Sequence, residues 1–246
     1  MYSFKNSILV VVFNYSNCIR NKEFIKQLYG NFFKTIIFYS DYPIITEDDE
    51  VNFVEIKAGG HVHRIFKIFY QKYKSLIEES DGVFYTMDDN IINMNILNLF
   101  DADKIIYYHN EVKSLNTYSG WHWDNPGHGK NAINNLLNDT EFKKYNINKF
   151  SGTFADWFYL PKKYLTDRLC DLFELFSKYE VFLELAIPSV INNIELDKTQ
   201  YQQFTDEILW GDRHKLLNKD YIYNSLNHAH HLIVHPIKFN QNPSSK

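Results

Sequence analysis

The sequence predicts an α/β domain in which helices flank an open, mostly parallel β-sheet. Its first half contains short apolar runs rich in β-branched residues, which are typical of strands buried on both faces of a parallel sheet. Segments with helical spacing separate these runs, and this alternation of strands and helices indicates a parallel sheet. The length of 246 residues fits one large domain.

The predicted elements follow this alternation along the chain. The predicted strands are Ser7–Phe13, Thr35–Tyr39, Val51–Ile56, Gly82–Met87, Lys104–Tyr108 and His231–His235. The predicted helices cover residues 21–33, 65–77, a segment that begins at Ile91, 161–180 and 184–195. Residues 109–131 form a loop of unusual length, and such loops are often functional. The domain is expected to span residues 1–239, and the tail 240–246 is expected to fray because it has no core-forming residue.

Composition narrows the class of protein. The formal net charge is −4, whereas proteins that bind nucleic acid are usually strongly basic. No nucleic-acid partner is therefore expected. The two cysteines, Cys18 and Cys170, form no CxxC motif and favour a reducing, cytoplasmic compartment. The apolar run Ile8–Phe13 is much shorter than the ~20 residues of a transmembrane helix, so no membrane span is predicted. The sequence contains no signal for an oligomeric state.

Two aspartates, Asp88 and Asp89, come directly after the fourth predicted strand. Ligands of open α/β sheets bind beyond the carboxyl ends of the strands, and carboxylate oxygens are ligands that Mg²⁺ and Mn²⁺ prefer. The pair therefore predicts a divalent-cation site that would in turn bind phosphate. The alternative is structural, because either aspartate could cap the helix predicted from Ile91.

Four motifs in order resemble those of the GT-A glycosyltransferases, across nearly the whole chain. They are Asp88-Asp89-Asn90, similar to the DxD motif; Ser151–Phe158, similar to the glycine-containing acceptor-side loop; Phe182–Leu185, similar to the acidic motif at a helix start; and His235, similar to the C-terminal metal-binding histidine. Within the family, the chain is similar to small glycosyltransferases of large DNA viruses. It departs from the family pattern in having Asp-Asp-Asn for Asp-x-Asp, and Leu185 where many members have aspartate.

The resemblance implies a single GT-A (Rossmann-like) domain with an open mixed, mostly parallel sheet. Residues 1–108 would bind a nucleoside-diphosphate sugar, with a UDP-sugar favoured, and residues 109–239 would bind a glycan or other hydroxyl acceptor. The implied ligands of a Mn²⁺ or Mg²⁺ cofactor are Asp89, Asp88 and His235. The implied donor-binding residues are Phe13, Asn14 and Tyr15 beside the base, Asp41 at the uracil N3–H, and Arg64, Asp88 and Lys238 near the diphosphate. For Arg64, a solvated helix charge is an equally good interpretation.

An inverting transfer, which is favoured over a retaining one, needs a general base for the acceptor hydroxyl proton. The candidates are Glu184, an acid among apolar residues, and Asp156, which could instead bind its own backbone. The candidate acceptor-binding residues are Trp121, Trp123, Asp124 and Trp157, because aromatic faces beside polar groups are typical of sugar sites. The tryptophans of the long loop could instead only anchor that loop.

Two other function classes stay open. A metal-dependent phosphoester hydrolase could be built from His61 and His63 with Asp88, Asp89 and His235. A non-catalytic nucleotide-sugar-binding protein could keep the fold without turnover, because fold does not determine function.

Overall fold

The computed structural model describes residues 4–13, 21–41, 50–56, 60–108, 113–114, 129–147, 149–202, 208–210 and 231–236. Several residues singled out from the sequence lie outside this part of the chain: Asn14, Tyr15, Cys18, Trp121, Trp123, Asp124, Lys238 and the tail 240–246.

The described chain forms strands and helices in alternation, as the sequence predicts. The strands are β1 (Ile8–Phe13), β2 (Thr35–Ser40), β3 (Val51–Phe53), β4 (Gly82–Met87), β5 (Ile91–Ile92), β6 (Ile106–Tyr107), β7 (Lys113–Ser114), β8 (Ser151–Gly152), β9 (Trp157–Pro161), β10 (Ile208–Trp210) and β11 (Ile233–His235). The helices are α1 (Lys22–Tyr29), α2 (Ile65–Lys72), α3 (Lys74–Glu78), α4 (Met94–Leu97), α5 (Lys130–Asn138), α6 (Thr140–Lys143), α7 (Asp167–Lys178) and α8 (Leu183–Ile194).

A mixed six-stranded sheet with the order β3-β2-β1-β4-β9-β6 forms the centre of the domain. The neighbours among β3, β2, β1 and β4 pair in parallel, whereas β9 is antiparallel to both β4 and β6. This confirms the predicted α/β class with a mixed sheet flanked by helices. Two smaller sheets accompany it, one of β10-β11-β5 and one of β7-β8.

The sheet separates two apolar cores, because successive side chains of a strand point to opposite faces. In β1, the residues Ile8, Val10 and Val12 belong to one core, and Leu9, Val11 and Phe13 belong to the other. Helices α2, α7 and α8 supply side chains to the first core, and α1 and α4 supply side chains to the second. Every residue of β1 is buried, which is why its sequence shows no polar alternation.

The structure corrects several of the predicted elements, among them the following three. The segment Trp157–Pro161, interpreted as the end of a loop motif, is the buried strand β9. No helix begins at Ile91, because Ile91 and Ile92 form β5 and pair with β11. The predicted helix over residues 161–180 is shorter, because β9 extends to Pro161 and the Thr166 side chain caps α7 by accepting from the Leu169 N–H.

No helix in the described ranges has both the length and the apolar character needed to cross a bilayer.

Candidate metal centre

Three side chains with metal-binding atoms meet at one edge of the central sheet. Single ligand atoms of Asp89, Asp156 and His235 all lie within 4.8 Å of one another. His235 Nδ1 lies 3.7 Å from Asp89 Oδ1, and His235 Nε2 lies 3.8 Å from Asp156 Oδ2. Their side chains are only partly accessible, at 27% for Asp89, 15% for Asp156 and 11% for His235. The group is therefore partly open to solvent.

The antiparallel pairing of β4 with β9 brings the two aspartates together. Thr86 near the end of β4 is the register partner of Trp157, the first residue of β9. Asp156 precedes Trp157 in sequence, so it lies where β4 ends and the chain continues to Asp89. The Met87 N–H donates to the Asp156 carbonyl oxygen at 2.9 Å, which extends the pairing by one residue.

The second sheet brings the histidine to the same place. Ile91 in β5 is the antiparallel register partner of Val234 in β11. The next residues outward along this pair are Asn90 and His235, whose side chains are joined by a 2.8 Å contact between Asn90 Oδ1 and His235 Nδ1. The register of β5 and β11 therefore determines the position of the imidazole.

The structure removes the helix-capping interpretation of Asp88 and Asp89. The helix that follows is α4, and the side chain of Asn93 is its N-cap, accepting from the Asn95 and Ile96 N–H groups. Since β5 intervenes between the aspartates and this helix, neither aspartate caps it. Capping of α4 therefore does not explain why two aspartates follow β4.

Asp88, predicted as a metal ligand and a donor-binding residue, does not join the close group of Asp89, Asp156 and His235. Its residue is only 5% exposed, and its N–H donates to the Val12 carbonyl at 3.0 Å, between the ends of β1 and β4. Asp156, predicted as a candidate base, supplies the second carboxylate of the group. The predicted set of two aspartates and one histidine is thus present, but its second aspartate directly precedes β9 and is not part of the Asp-Asp pair.

The acids of the site repel one another in the metal-free protein. Burial raises the pKa of Asp156 well above its usual range, and the nearby Asp89 and Glu184 raise it further. Burial also raises the pKa of the Tyr85 hydroxyl well above its usual value, with Asp156, Asp89 and Asp88 as additional causes. A cation bound at this edge would remove much of this repulsion.

The donor set suits a divalent cation. Carboxylate oxygens bind Mg²⁺ and Mn²⁺, and the imidazole of His235 favours Mn²⁺ over Mg²⁺, which prefers all-oxygen ligands. In the described part of the chain, the buried Tyr85 hydroxyl, which lies close to these acids, makes no hydrogen bond. A buried hydroxyl of this kind is expected to find a partner in a ligand or its water.

The raised pKa of Asp156 predicts how the stability of the metal-free protein depends on pH. The native state holds the proton of the Asp156 carboxyl more tightly than the unfolded chain does, and this difference stabilises the native state. The stabilisation is complete below the ordinary pKa of 3.8 and is lost as the pH rises through the native pKa. We expect the free energy of unfolding to fall by at most about 1.4 kcal/mol per pH unit from this proton. Urea unfolding with EDTA at a series of pH values measures it.

The matched variants are Asp156→Asn and Asp103→Asn, the latter at an exposed position. Asp156→Asn should make the decline of the free energy of unfolding above pH ~4 less steep, because the amide does not titrate. Asp103→Asn should leave it unchanged. If the free energy of unfolding of Asp156→Asn declines with pH as steeply as that of the wild type, the Asp156 carboxyl does not cause the decline.

Glu184, the other candidate base, lies in the first turn of α8 and is 8% exposed. It is close enough to Asp156 to raise the pKa of that carboxyl. The Thr153 N–H donates to the Glu184 carbonyl at 3.0 Å, which ties the start of α8 to the segment between β8 and β9. The structure therefore brings both candidate bases to the same site.

Three of the predicted donor-binding residues are engaged within the fold. One Asp41 oxygen accepts from the Ile56 N–H. The Arg64 guanidinium donates to Ser177 Oγ at 3.0 Å and to the Glu55 carbonyl at 3.0 Å, so it is a structural bridge and not the solvated charge considered from the sequence. The Phe13 ring is fully buried and stacks on Phe38 at 5.6 Å. Their contacts with a nucleotide remain predictions.

The aromatic residue beside the site is not the predicted Trp157. Trp157 is fully buried and stacks on Phe84 at 6.2 Å, so its side chain packs beneath the site and is not open to an acceptor. Trp210 on β10 is 53% exposed, and its ring packs edge-on against His235 at 5.6 Å and Phe154 at 4.9 Å. The sequence did not predict Trp210 as a site residue, because no motif surrounds it. Its one signal in the sequence is a large aromatic residue in a polar stretch.

The histidines of the hydrolase alternative lie in a different environment. His63 is fully buried beside His61 and Phe173, with ring centroids 6.0 and 6.2 Å away. Burial lowers its pKa well below the usual range, with His61 as a further cause, so His63 is neutral. Within the described ranges, neither His61 nor His63 belongs to the group of Asp89, Asp156 and His235.

Comparison of the chain with protein-family models and with curated protein sequences finds no match.

Proposed function

We propose that the chain is a metal-dependent glycosyltransferase with a GT-A type fold, which transfers a sugar from a UDP-sugar to an acceptor hydroxyl. The observation that carries the proposal is the meeting of Asp89, Asp156 and His235 from three separate segments. Such a group of two carboxylates and an imidazole is suited to hold Mn²⁺ against a diphosphate.

The topology of the sheet supports this proposal. The chain runs outward from β1 to β2 and β3, and then returns to place β4 on the other side of β1. The carboxyl ends of β1 and β4 therefore flank a topological switch point, which is where open α/β sheets bind nucleotides and other ligands. Asp88 and Asp89 directly follow β4 at this switch point.

In the proposed reaction, a bound divalent cation supplies positive charge that stabilises the departing nucleoside diphosphate. The cation would be bound by Asp89, Asp156 and His235. Glu184 is the preferred base, because Asp156 is engaged with the cation and Glu184 is the neighbouring buried carboxylate. Glu184 would take the proton from the acceptor hydroxyl as the oxygen attacks the sugar carbon, which gives inversion.

An assay of UDP release tests the proposal against its alternatives. We expect the protein to release UDP from at least one of a panel of UDP-sugars when Mn²⁺ is present, and to stop when EDTA removes it. Cleavage of a phosphate ester without any sugar donor would identify a hydrolase instead. Binding of UDP with Mn²⁺, without release of UDP from any donor, would identify a non-catalytic binding protein.

A further inference from the structure

We infer that Asn90 is a positioning residue that fixes His235 in the Nδ1–H tautomer and so turns its Nε2 lone pair toward Asp156. The inference concerns the imidazole of the metal-free protein, and its consequence for metal binding rests on the proposed function. The proposed effect of Asn90 on the site acts through His235.

Asn90 joins the three segments that form the site. Its residue is 4% exposed, and its Nδ2 group donates to Thr86 Oγ1 at 3.1 Å and to the Asp156 carbonyl at 3.0 Å. Its Oδ1 atom lies 2.8 Å from His235 Nδ1. One side chain thus contacts the end of β4, the start of β9 and the end of β11.

The partners of Asn90 determine the orientation of its amide. The backbone carbonyl of Asp156 can only accept, so the amide nitrogen must face it. Thr86 Oγ1 donates its hydrogen to the Met87 carbonyl at 3.2 Å, which leaves the hydroxyl oxygen to accept from the same nitrogen. Both amide hydrogens are then used, and the atom that faces His235 is the carbonyl oxygen.

A carbonyl oxygen facing Nδ1 determines the tautomer of the imidazole. Asn90 Oδ1 cannot donate, so His235 Nδ1 must carry the hydrogen. In the neutral ring, Nε2 then holds the lone pair, and this nitrogen lies 3.8 Å from Asp156 Oδ2. A histidine that binds a metal through one nitrogen commonly donates from the other to an oxygen, which orients the ring and strengthens the ligand.

Long-range ¹H–¹⁵N NMR of the metal-free protein tests the tautomer directly. The spectra are recorded at about pH 8, above the ordinary histidine pKa. We expect its Nδ1 to show the shift of a protonated nitrogen and its Nε2 the shift of an unprotonated one. The signals are assigned by their loss in His235→Gln. A His235 ring that carries its hydrogen on Nε2, or that exchanges between the tautomers, would overturn the inference.

The variant Asn90→Ala tests the role of the amide. We expect His235 to lose its single tautomer, and Mn²⁺ affinity, measured by electron paramagnetic resonance of free Mn²⁺, to fall by about 10- to 100-fold. The control is Asn93→Ala, which removes a buried asparagine three positions along that caps α4. This control should lower stability while the tautomer of His235 and the Mn²⁺ affinity stay as in the wild type.

The outcomes separate this inference from the proposed function. If the wild type shows the Nδ1–H tautomer but binds no Mn²⁺, the proposed metal-dependent function fails and the assignment of the tautomer stands. If Asn90→Ala keeps the Nδ1–H tautomer, or if Asn93→Ala changes the tautomer and the affinity as much as Asn90→Ala does, Asn90 is not the positioning residue.

Discussion

Replacing Asp89 with alanine is expected to lower the turnover of UDP-sugar by roughly 10²- to 10³-fold, comparable with the removal of one preorganised electrostatic group. Asp89 is the most exposed member of the group, with 27% of its side chain accessible, and it lies 3.7 Å from His235. Its loss would leave one carboxylate and one imidazole to hold the cation. Release of UDP in the presence of Mn²⁺ measures the effect.

The control for Asp89→Ala is Asp103→Ala, which removes an exposed aspartate near the start of β6. This variant should keep wild-type turnover, because a surface carboxylate far from the chemistry contributes little. Added Mn²⁺ should restore part of the activity of Asp89→Ala if weakened cation binding is the cause. Wild-type turnover in Asp89→Ala without added Mn²⁺ would remove the metal assignment.

Substitution of Glu184 by glutamine is expected to suppress sugar transfer by about 10²- to 10⁴-fold, the usual contribution of a general base. The amide keeps the shape of the side chain but cannot accept the proton of the acceptor hydroxyl. Binding of UDP with Mn²⁺ should remain intact, because Glu184 is not one of the three residues that meet at the cation site. Transfer to acceptor and equilibrium binding of UDP are measured on the same preparation.

The control for Glu184→Gln is Glu174→Gln on α7, where the side chain is 58% exposed and contacts Lys67. It makes the same chemical change outside the site, and should leave both transfer and binding unchanged. If transfer survives in Glu184→Gln, the role of the base moves to Asp156. If UDP binding is lost together with transfer, Glu184 acts on the donor and not on the acceptor.

Much of the fold could be predicted because several of its strands can be recognised from their own mostly apolar residues. The runs that form β1, β2 and β4 are mostly apolar, because strands in the middle of a sheet are buried on both faces. Strand β9 has the same buried character, but its first two residues belong to the motif that was interpreted as an acceptor-side loop. A local pattern could not show that this segment enters the sheet beside β4.

The sequence by itself determined the α/β class and the strand that Asp88 and Asp89 follow, and its resemblance to the GT-A glycosyltransferases suggested His235 as a partner for them. Only the tertiary structure decided that Asp156 takes the second place beside Asp89, and that Asn90 faces the imidazole. The physical reason is that these residues come together through the register of two antiparallel pairs, β4 with β9 and β5 with β11. Register depends on contacts between segments far apart in the chain, whereas burial of a strand is already visible in its own residues.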